Sequence, residues 1–363
     1  MIAALSLCAW LYLFFAHGEF WRSRPQLSPA VPRETPDVDI IVPARDEAET
    51  IQAAIGSLLA QDYAGAFRVI LVDDNSTDGT ASLAGEAPNL QIIRLDSKPS
   101  GWSGKLWALH QGIAASHSPI VLLTDADIVH QPAHLGSLVA KLLDSQLDMV
   151  SEMVRLNCSS LAERILVPAF VYFFQMLYPF SRVNDPRSAV AAAAGGTILV
   201  RRDVLARIGG IETIKEALID DVALAKAVKR SGSIFLGHSQ LAASIRPYAK
   251  VSDVWHMIAR TAFTQLRYST PLLLLTIAAL SVVWLVPPWE ALFARGWVFG
   301  CALTACLLAA LSYIPTLMRY QRSVLWVFAL PLTALFYLAA TIASAVNYWR
   351  GKGASWKNRA YSR

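Results

Sequence analysis

The sequence predicts an α/β protein with a mostly parallel sheet, joined to hydrophobic helices at both ends of the chain. The first observation is an alternation of strand and helix patterns that begins near Asp37. The second is composition, because a mean hydropathy of +0.40 and 16% charged residues are unusual for a soluble protein of 363 residues. The third is that acidic residues directly follow short apolar runs.

Four stretches contain no Asp, Glu, Lys or Arg: residues 1–16, 271–289, 297–318 and 323–349. Roughly 20 apolar residues suffice to cross a bilayer. No basic segment precedes the first stretch and no small-residue cleavage site follows it, so we interpret residues 1–20 as an uncleaved transmembrane anchor. Residues 271–349 are predicted to form C-terminal transmembrane or re-entrant helices.

Basic residues lie beside these stretches and give the chain a net charge of +5. They include Arg22, Arg24, Arg33 and the basic tail 350–363. This distribution indicates a cytoplasmic membrane surface, not nucleic acid, and places residues 21–270 in the cytoplasm. Three full C-terminal spans would put the basic tail outside. Either one late segment, for example the one that contains Pro331, is re-entrant or interfacial, or the tail is an exception to the rule; the sequence leaves both open.

Short β-branched runs alternate with helical patterns in the middle of the chain. The predicted strands are residues 38–42, 67–72, 90–95 and 119–124, with a helix after the first strand that extends to Gln61. In sheets of this kind, ligands bind outside the carboxyl ends of the strands. Acid pairs follow two of these ends and are expected to converge on one crevice. They are Asp73 with Asp74, and Asp125 with Asp127.

The pair Asp125 and Asp127 is suited to hold a hard divalent cation, Mg²⁺ or Mn²⁺, which can neutralise a diphosphate. The alternative is a turn that merely caps the next helix. Asp73 and Asp74 can accept hydrogen bonds from a nucleobase or a ribose, although the segment that follows them is turn-prone in any protein.

Three motifs together resemble the inverting glycosyltransferases of family 2, which have a GT-A fold. They are Ile41-Val42-Pro43-Ala44-Arg45-Asp46-Glu47, Val72-Asp73-Asp74-Asn75-Ser76-Thr77-Asp78-Gly79-Thr80 and Asp125-Ala126-Asp127. The whole chain is also similar to the hopene-associated glycosyltransferases encoded with hopanoid biosynthesis, which are relatives of ceramide glucosyltransferases.

The resemblance implies a Rossmann-like GT-A domain over residues 36–250 and an interfacial segment over residues 251–270. It also implies a nucleotide-sugar donor, in this family commonly a UDP-sugar, and a lipid acceptor. The expected location is the bacterial inner (cytoplasmic) membrane, with a multi-pass chain whose catalytic domain faces the cytoplasm.

By the same resemblance, donor-binding roles fall on the matching positions of the motifs. Pro43, Arg45 and Glu47 are expected near the nucleotide, Asp73 or Asp74 at the base, and Asp125 with Asp127 at the metal and diphosphate. Lys105, in the loop Gly101-Trp102-Ser103-Gly104-Lys105, is expected to pair with phosphate.

Asp220 and Asp221 resemble the acidic pair of the family, usually Glu-Asp, whose second acid is the general base. This assigns deprotonation of the acceptor hydroxyl to Asp221, with Asp220 as a shorter replacement for Glu. Two adjacent acids can also raise one pKa toward the range useful for base catalysis. The alternative is a helix N-terminus stabilised by acids.

Gln265-Leu266-Arg267-Tyr268 resembles a shortened Gln-x-x-Arg-Trp signature of chain-extending members of the family. The different spacing and the different aromatic residue imply a single transfer, with Gln265 at the donor, Arg267 at its diphosphate and Tyr268 near the acceptor. Alternatively, these residues simply flank a membrane helix, where Arg and Tyr are frequent.

Two further segments have a distinctive composition. Residues 165–180 are uncharged and rich in Phe and Tyr, but contain Pro168 and Pro179; they are expected to lie in the interface and admit a lipid, or to form a buried helix of the catalytic domain. Ala191–Ala194 and Gly195-Gly196 allow close approach before a strand. His110, His117, His130 and His134 are expected at the surface or in loops and not as metal ligands.

The predicted function is therefore metal-assisted, inverting transfer of a sugar to a lipid, for example a hopanoid. A glycosyltransferase acting on ceramide, a carotenoid or polyprenyl phosphate shares every donor-side motif and is an alternative. A non-catalytic membrane scaffold or lipid-handling protein is the alternative of another class.

Overall fold

The computed structural model describes residues 1–352, 355–356 and 359–360, and divides the chain into two compact units. The α/β unit comprises residues 25–157 and 182–247, with the described residues of the tail. The helical unit comprises residues 1–24, 158–181 and 248–352. The predicted catalytic domain 36–250 is thus interrupted by residues 158–181, which pack with the hydrophobic helices.

The α/β unit contains an eight-stranded sheet with the order β3-β2-β1-β4-β7-β6-β8-β5. The strands are β1 (Val38–Ala44), β2 (Phe67–Asp73), β3 (Leu90–Arg94), β4 (Ile120–Thr124), β5 (Ile128–His130), β6 (Met149–Arg155), β7 (Thr197–Arg201) and β8 (Ile234–Ser244). The first four strands in spatial order are parallel, whereas β7 is antiparallel to β4 and β6, and β5 is antiparallel to β8. The predicted α/β fold with a mostly parallel sheet is confirmed. Two very short strands, β9 (Ser355–Trp356) and β10 (Arg359–Ala360), pair in the tail.

Helices occur in both units and are numbered in chain order. They are α1 (Ile2–Phe15), α2 (Ile51–Leu59), α3 (Thr80–Leu83), α4 (Gly104–Ala115), α5 (His134–Asp144), α6 (Leu161–Leu177), α7 (Phe180–Asn184), α8 (Arg202–Arg207), α9 (Asp220–Lys229), α10 (Val251–Gln265), α11 (Thr270–Leu280), α12 (Val286–Phe293), α13 (Gly296–Arg319) and α14 (Leu330–Trp349). A π-helical turn, Ser281–Leu285, joins α11 to α12, and a 3₁₀ segment, Val324–Ala329, precedes α14.

The buried carboxylate of Asp39 on β1 lies among apolar side chains and connects neighbouring parts of the sheet. Every residue of β1 is buried, as expected for a strand covered on both faces. Asp39 accepts hydrogen bonds from Arg68 Nε at 3.0 Å and from the backbone N–H groups of His117 and Ser118 at 2.8 and 3.1 Å. Burial alone would raise the pKa of Asp39, but these bonds lower it to about 2. Asp39 therefore ties β1 to β2 and to the turn before β4.

A row of buried polar side chains, referred to below as the polar chain, links β4, β5, α5 and β6. Thr124 Oγ1 donates to Gly196 O at 2.8 Å and contacts His130 Nε2 at 3.1 Å. The Nδ1 atoms of His130 and His134 are 2.7 Å apart, and His134 Nε2 is 2.6 Å from Glu152 Oε2. The expectation that both histidines lie at the surface or in loops is wrong, since they are only 3% and 0% exposed.

The donors and acceptors along this row of polar side chains determine which atoms carry protons. The Thr124 hydroxyl has one proton, which goes to Gly196 O, so His130 Nε2–H must donate to Thr124. Burial lowers the pKa of both histidines, that of His134 to about 3, so the imidazoles are neutral. His130 Nδ1 then accepts from His134 Nδ1–H, and one proton lies between His134 and Glu152.

The helical unit contains three helices that are long and apolar enough to cross a membrane, by length and composition: Thr270–Phe293, Gly296–Arg319 and Val324–Trp349. They coincide with the three predicted C-terminal stretches. The N-terminal helix α1 has 14 residues, about 21 Å, which is shorter than a hydrocarbon core of about 30 Å. The anchor over residues 1–20 stays a prediction.

The aromatic segment 165–180 packs among these apolar helices instead of in the core of the sheet. Helix α6 continues through Pro168, and its N-terminus has a Ser160/Glu163 capping box. Tyr172 is fully buried and its hydroxyl lies 2.6 Å from Ser312 Oγ on α13. Tyr337 on α14 donates to the carbonyl of Leu166 at 2.9 Å. The alternative of a core helix within the α/β domain is therefore wrong.

We predict that His134→Leu destabilises the protein by about 2 kcal/mol or more, because it leaves His130 Nδ1 and Glu152 Oε2 without their mutual partner in the core. The midpoint of thermal unfolding in detergent should fall by about 5 °C or more. His117→Leu, at an exposed position, is the matched control and should change it little. Equal midpoints of thermal unfolding for His134→Leu and the parent protein would contradict the stabilising role of the polar chain.

Candidate active site

A cleft opens at the carboxyl ends of β1 and β4, and its empty space, including space open to solvent, is about 330 Å³. Between these strands the chain order reverses, from β3-β2-β1 on one side to β4 on the other, which is the point where such sheets bind ligands. Its polar lining is Lys105, Thr124, Asp125, Asp220 and Asp221. Its other lining residues are mostly apolar: Pro43, Leu106, Leu109, Leu123, Gly195, Ile198, Ile211, Ile214 and Leu224.

Lys105 connects the two acidic motifs of the cleft. It is the second residue of α4, whose N-terminus is capped by Ser103 accepting from Leu106 N–H at 3.2 Å. Its Nζ lies 2.8 Å from Asp125 Oδ1 and 3.2 Å from Asp220 Oδ2. Burial alone would lower the pKa of Lys105, but the attraction of Asp125 and Asp220 raises it well above its usual value. The ammonium group is therefore a permanent positive charge.

Asp221 is held at the N-terminus of α9. Its Oδ2 accepts from Gly195 N–H at 2.9 Å, and its Oδ1 accepts from Val222 N–H at 2.7 Å. A Cβ on Gly195 would lie 3.4 Å from Lys105 Nζ and 3.5 Å from Asp221 Oδ2, so the small residue permits the close approach expected from the sequence. Burial and the neighbouring charge of Asp220 raise the pKa of Asp221 to about 7.

Asp127 has surroundings different from those of Asp125. Its buried carboxylate accepts from Arg246 Nε at 2.7 Å and from Ser244 Oγ at 3.2 Å. Arg246 also reaches Glu47 Oε1 through Nη2 at 2.6 Å. Among the described residues that line the cleft, Asp127 and Glu47 are not found. The two acids of the motif thus have different partners: Asp125 contacts Lys105, whereas Asp127 contacts Arg246. The metal-binding role of Asp127 stays a prediction.

Arg246 is a residue of this region that sequence reasoning did not identify. It follows β8, the strand that pairs with β5 directly after Asp127, and so returns to the same edge of the sheet. A lone Arg between Ile245 and Pro247 has no motif or periodicity that marks it. Only its place at a strand end could have suggested it.

Asp73 is the last residue of β2 and Asp74 follows it, and both are buried. Asp73 Oδ1 accepts from the backbone N–H of Ser76 at 3.2 Å and from its hydroxyl. Arg45 donates to the Asp74 carbonyl and lies 3.9 Å from its Oδ2. Pro43 lines the cleft, whereas Arg45, Asp73 and Asp74 are not among its lining residues. Their nucleotide-binding roles stay predictions.

Gln265 and Arg267 belong to the helical unit, at the end of α10. Arg267 and Tyr268 have φ of 52° and 55°, and the Tyr268 ring stacks on Tyr348 at 4.5 Å. These contacts favour the interpretation that the segment flanks a membrane helix. Its role at the donor diphosphate stays a prediction.

The chemistry of the cleft fits a divalent cation held partly by the donor. No group of three His, Cys, Asp or Glu residues suited to a metal occurs within the described ranges. Mg²⁺ is commonly held by one or two carboxylates together with substrate phosphates. The Asp125 side chain is 35% exposed and faces the cleft, so it can supply such a ligand.

Comparison with known proteins agrees with this arrangement. Residues 39–209 match the model of Glycosyl transferase family 2. The chain is 37% identical over 109 residues to the succinoglycan biosynthesis protein ExoU of Rhizobium meliloti (strain 1021), covering 29% of this chain and 30% of the relative. It is 30% identical over 95 residues to the 4,4'-diaponeurosporenoate glycosyltransferase of Staphylococcus haemolyticus (strain JCSC1435), covering 26% and 25%. This chain thus spans less than a third of either relative.

Among solved structures, the mannosyltransferase PcManGT from Pyrobaculum calidifontis, in complex with GDP-Man and Mn²⁺, superposes with a TM-score of 0.57 at 22% identity. The match covers 96% of this chain and 99% of that one, and it shows a shared fold. Residues 39–209 are therefore similar to a glycosyltransferase family 2 domain, and the chain has the GT-A fold.

Proposed function

We propose that this protein is a membrane-bound inverting glycosyltransferase that moves a sugar from a nucleotide-sugar, most simply a UDP-sugar, to a lipid acceptor. One observation carries the proposal: Lys105 brings Asp125 and Asp220 within 2.8 and 3.2 Å of one ammonium group. Donor-side and base-side residues thereby share one cleft.

The donor is proposed to bind with its diphosphate at Asp125 and Lys105 and its nucleoside toward the loops after β1 and β2. Pro43, Arg45 and Glu47 lie at or just after the end of β1, and Asp73 with Asp74 at the end of β2. A divalent cation, Mg²⁺ or Mn²⁺, would be held by Asp125 and Asp127 and would stabilise the charge of the departing diphosphate. The complex of the mannosyltransferase with GDP-Man and Mn²⁺ supports this class of donor and cation.

Asp221 is proposed as the general base. A carboxylate with a pKa of about 7 can take a proton from the acceptor hydroxyl near neutral pH, and its hydrogen bond from Gly195 fixes its orientation. The hydroxyl oxygen then forms the new bond to the anomeric carbon as the bond to the diphosphate breaks. Configuration inverts, and no covalent sugar-enzyme intermediate is needed.

The acceptor is proposed to be a lipid, with a hopanoid as the specific candidate. The three long apolar helices and the largely apolar wall of the cleft support a hydrophobic substrate. The similarity to the 4,4'-diaponeurosporenoate glycosyltransferase is compatible with this class. Ceramide, carotenoids and polyprenyl phosphate are the competing acceptors. The proposed location is the bacterial inner membrane, with the α/β unit in the cytoplasm.

The experiment that tests the proposal is transfer of radiolabelled sugar into lipid by the purified full-length protein. The panel combines UDP- and GDP-sugars with hopanoid, ceramide and polyprenyl phosphate acceptors, each with manganese, magnesium or a chelator. Chelator-sensitive labelling of one lipid class would support the proposal and identify both substrates. Binding of the lipid without any nucleotide-sugar binding would instead favour a scaffold.

We predict that Asp221→Asn lowers the transfer rate by about 10²- to 10⁴-fold, because the amide cannot accept the acceptor proton. Donor affinity, measured by titration calorimetry, should change little. Asp203→Asn is the matched control, because the Asp203 side chain is 72% exposed on α8, and it should leave transfer unchanged. Transfer by Asp221→Asn at the parent rate would remove the base assignment.

The rate of sugar transfer should also rise with pH. Asp221 must be ionised to act, and its pKa of about 7 means that protonation suppresses it in acid. We predict that kcat/KM rises about tenfold per pH unit below pH 7 and levels off above it. A profile that is flat down to about pH 5.5, in enzyme shown to remain folded by circular dichroism, would contradict this.

A further inference from the structure

The helices α12 and α13 form a hairpin within the first two long apolar segments. Thr270–Phe293 and Gly296–Arg319 each have 24 residues, about 36 Å, enough to cross a hydrocarbon core of about 30 Å. Only Ala294 and Arg295 connect them, and α12 packs along α13. If both segments cross the bilayer, the chain returns to the side from which it entered, and residues 269 and 320 then lie on the same side.

The third apolar helix, Val324–Trp349, starts on that side. If it crossed the bilayer, its end would lie about 30 Å away from residue 269, on the opposite side. Instead, the ring of Tyr348 stacks on Tyr268 at 4.5 Å, and Ser344 Oγ accepts from Phe263 N–H at 3.0 Å. Both ends of Val324–Trp349 therefore lie on the side where the chain enters at Thr270.

The faces of α14 agree with a helix that lies within one leaflet. One face is buried against α6, α10, α11 and the π-helical turn Ser281–Leu285. On this face Tyr337 bonds Leu166 O and Phe336 contacts the Trp255 ring at 5.4 Å. The other face exposes an apolar stripe at helical spacing: Leu332, Leu335, Ile342 and Trp349.

Helix α10, which runs beside α14, has the opposite character. It buries Val254 and Phe263 but exposes the polar side chains of His256 and Arg260. The two helices together thus form a layer with one polar and one apolar surface, as expected for interfacial helices.

Basic and aromatic residues gather where the two helices end. Arg267, Arg350 and Lys352 are exposed beside the aromatic cluster of Phe263, Tyr268, Tyr348 and Trp349. Aromatic rings with Lys and Arg are typical of the headgroup level of a membrane. Positive charges at this level complement anionic lipids and attract them electrostatically.

We propose that Val324–Trp349 does not cross the membrane but lies within one leaflet, and that Arg267, Arg350 and Lys352 at its end bind anionic lipid headgroups. Only two of the three long apolar helices then cross the bilayer. The basic residues that follow α14 lie on the side of Ser269, which removes the conflict between three full spans and the positive-inside rule. This inference does not depend on which sugar or acceptor the enzyme uses.

Topology is tested by single cysteines in the full-length chain after Cys8, Cys158, Cys301 and Cys306 are replaced by Ser. The variants Ser323→Cys, Lys352→Cys and Arg295→Cys place the probe at three exposed positions. A membrane-impermeant maleimide is applied to sealed vesicles of either orientation. We expect residues 323 and 352 to be labelled from one face and residue 295 from the other. Labelling of residue 352 from the face of residue 295 would overturn the proposal.

Headgroup binding is tested by thermal unfolding in nanodiscs of phosphatidylglycerol or phosphatidylcholine. We expect phosphatidylglycerol to raise the midpoint for the parent protein by a few degrees, and the triple variant R267Q/R350Q/K352Q to lose most of this shift. The control R187Q/K226Q/R230Q removes the same charge from exposed positions of the α/β unit and should keep the shift. Equal shifts in both variants would overturn the headgroup assignment.

Discussion

The ammonium group of Lys105 lies between carboxylates contributed by elements almost 100 residues apart, and the active-site geometry depends on it. Without a cation, Asp125, Asp220 and Asp221 would repel one another in a cleft with largely apolar walls. One positive charge offsets only part of their negative charge. The remaining negative charge is consistent with the divalent cation and the general base that we propose for metal-assisted displacement.

The central strands and the acid motifs were predictable because their signals are local. The runs around Ile40, Ile70 and Leu122 are β-branched or apolar, and acidic residues follow two of them directly, so the parallel half of the sheet and its carboxyl edge could be inferred. Asp125 and the pair Asp220 and Asp221 do line one cleft. Their catalytic and binding roles stay predictions.

Other parts of the site could not be predicted because they depend on partners distant in sequence. His130 and His134 are polar residues, and nothing local shows that Thr124 and Glu152 satisfy them in the core. Arg246 acquires its contacts only when β8 pairs with β5. Hydropathy likewise identified the apolar stretch 323–349. It could not show where the end of this helix lies, because that depends on the contact of the Tyr348 ring with the Tyr268 ring.

The interruption of the α/β unit by residues 158–181 has a consequence for protein engineering. A fragment that lacks both termini would keep α6, and with it Tyr172 and Phe173, whose rings pack on Tyr313, Trp284 and Tyr337 of the removed helices. Such a fragment would expose an apolar surface that is buried in the full-length chain, and it would aggregate. A soluble version of this enzyme therefore needs a third deletion, in which a short polar linker between Asn157 and Arg182 replaces residues 158–181.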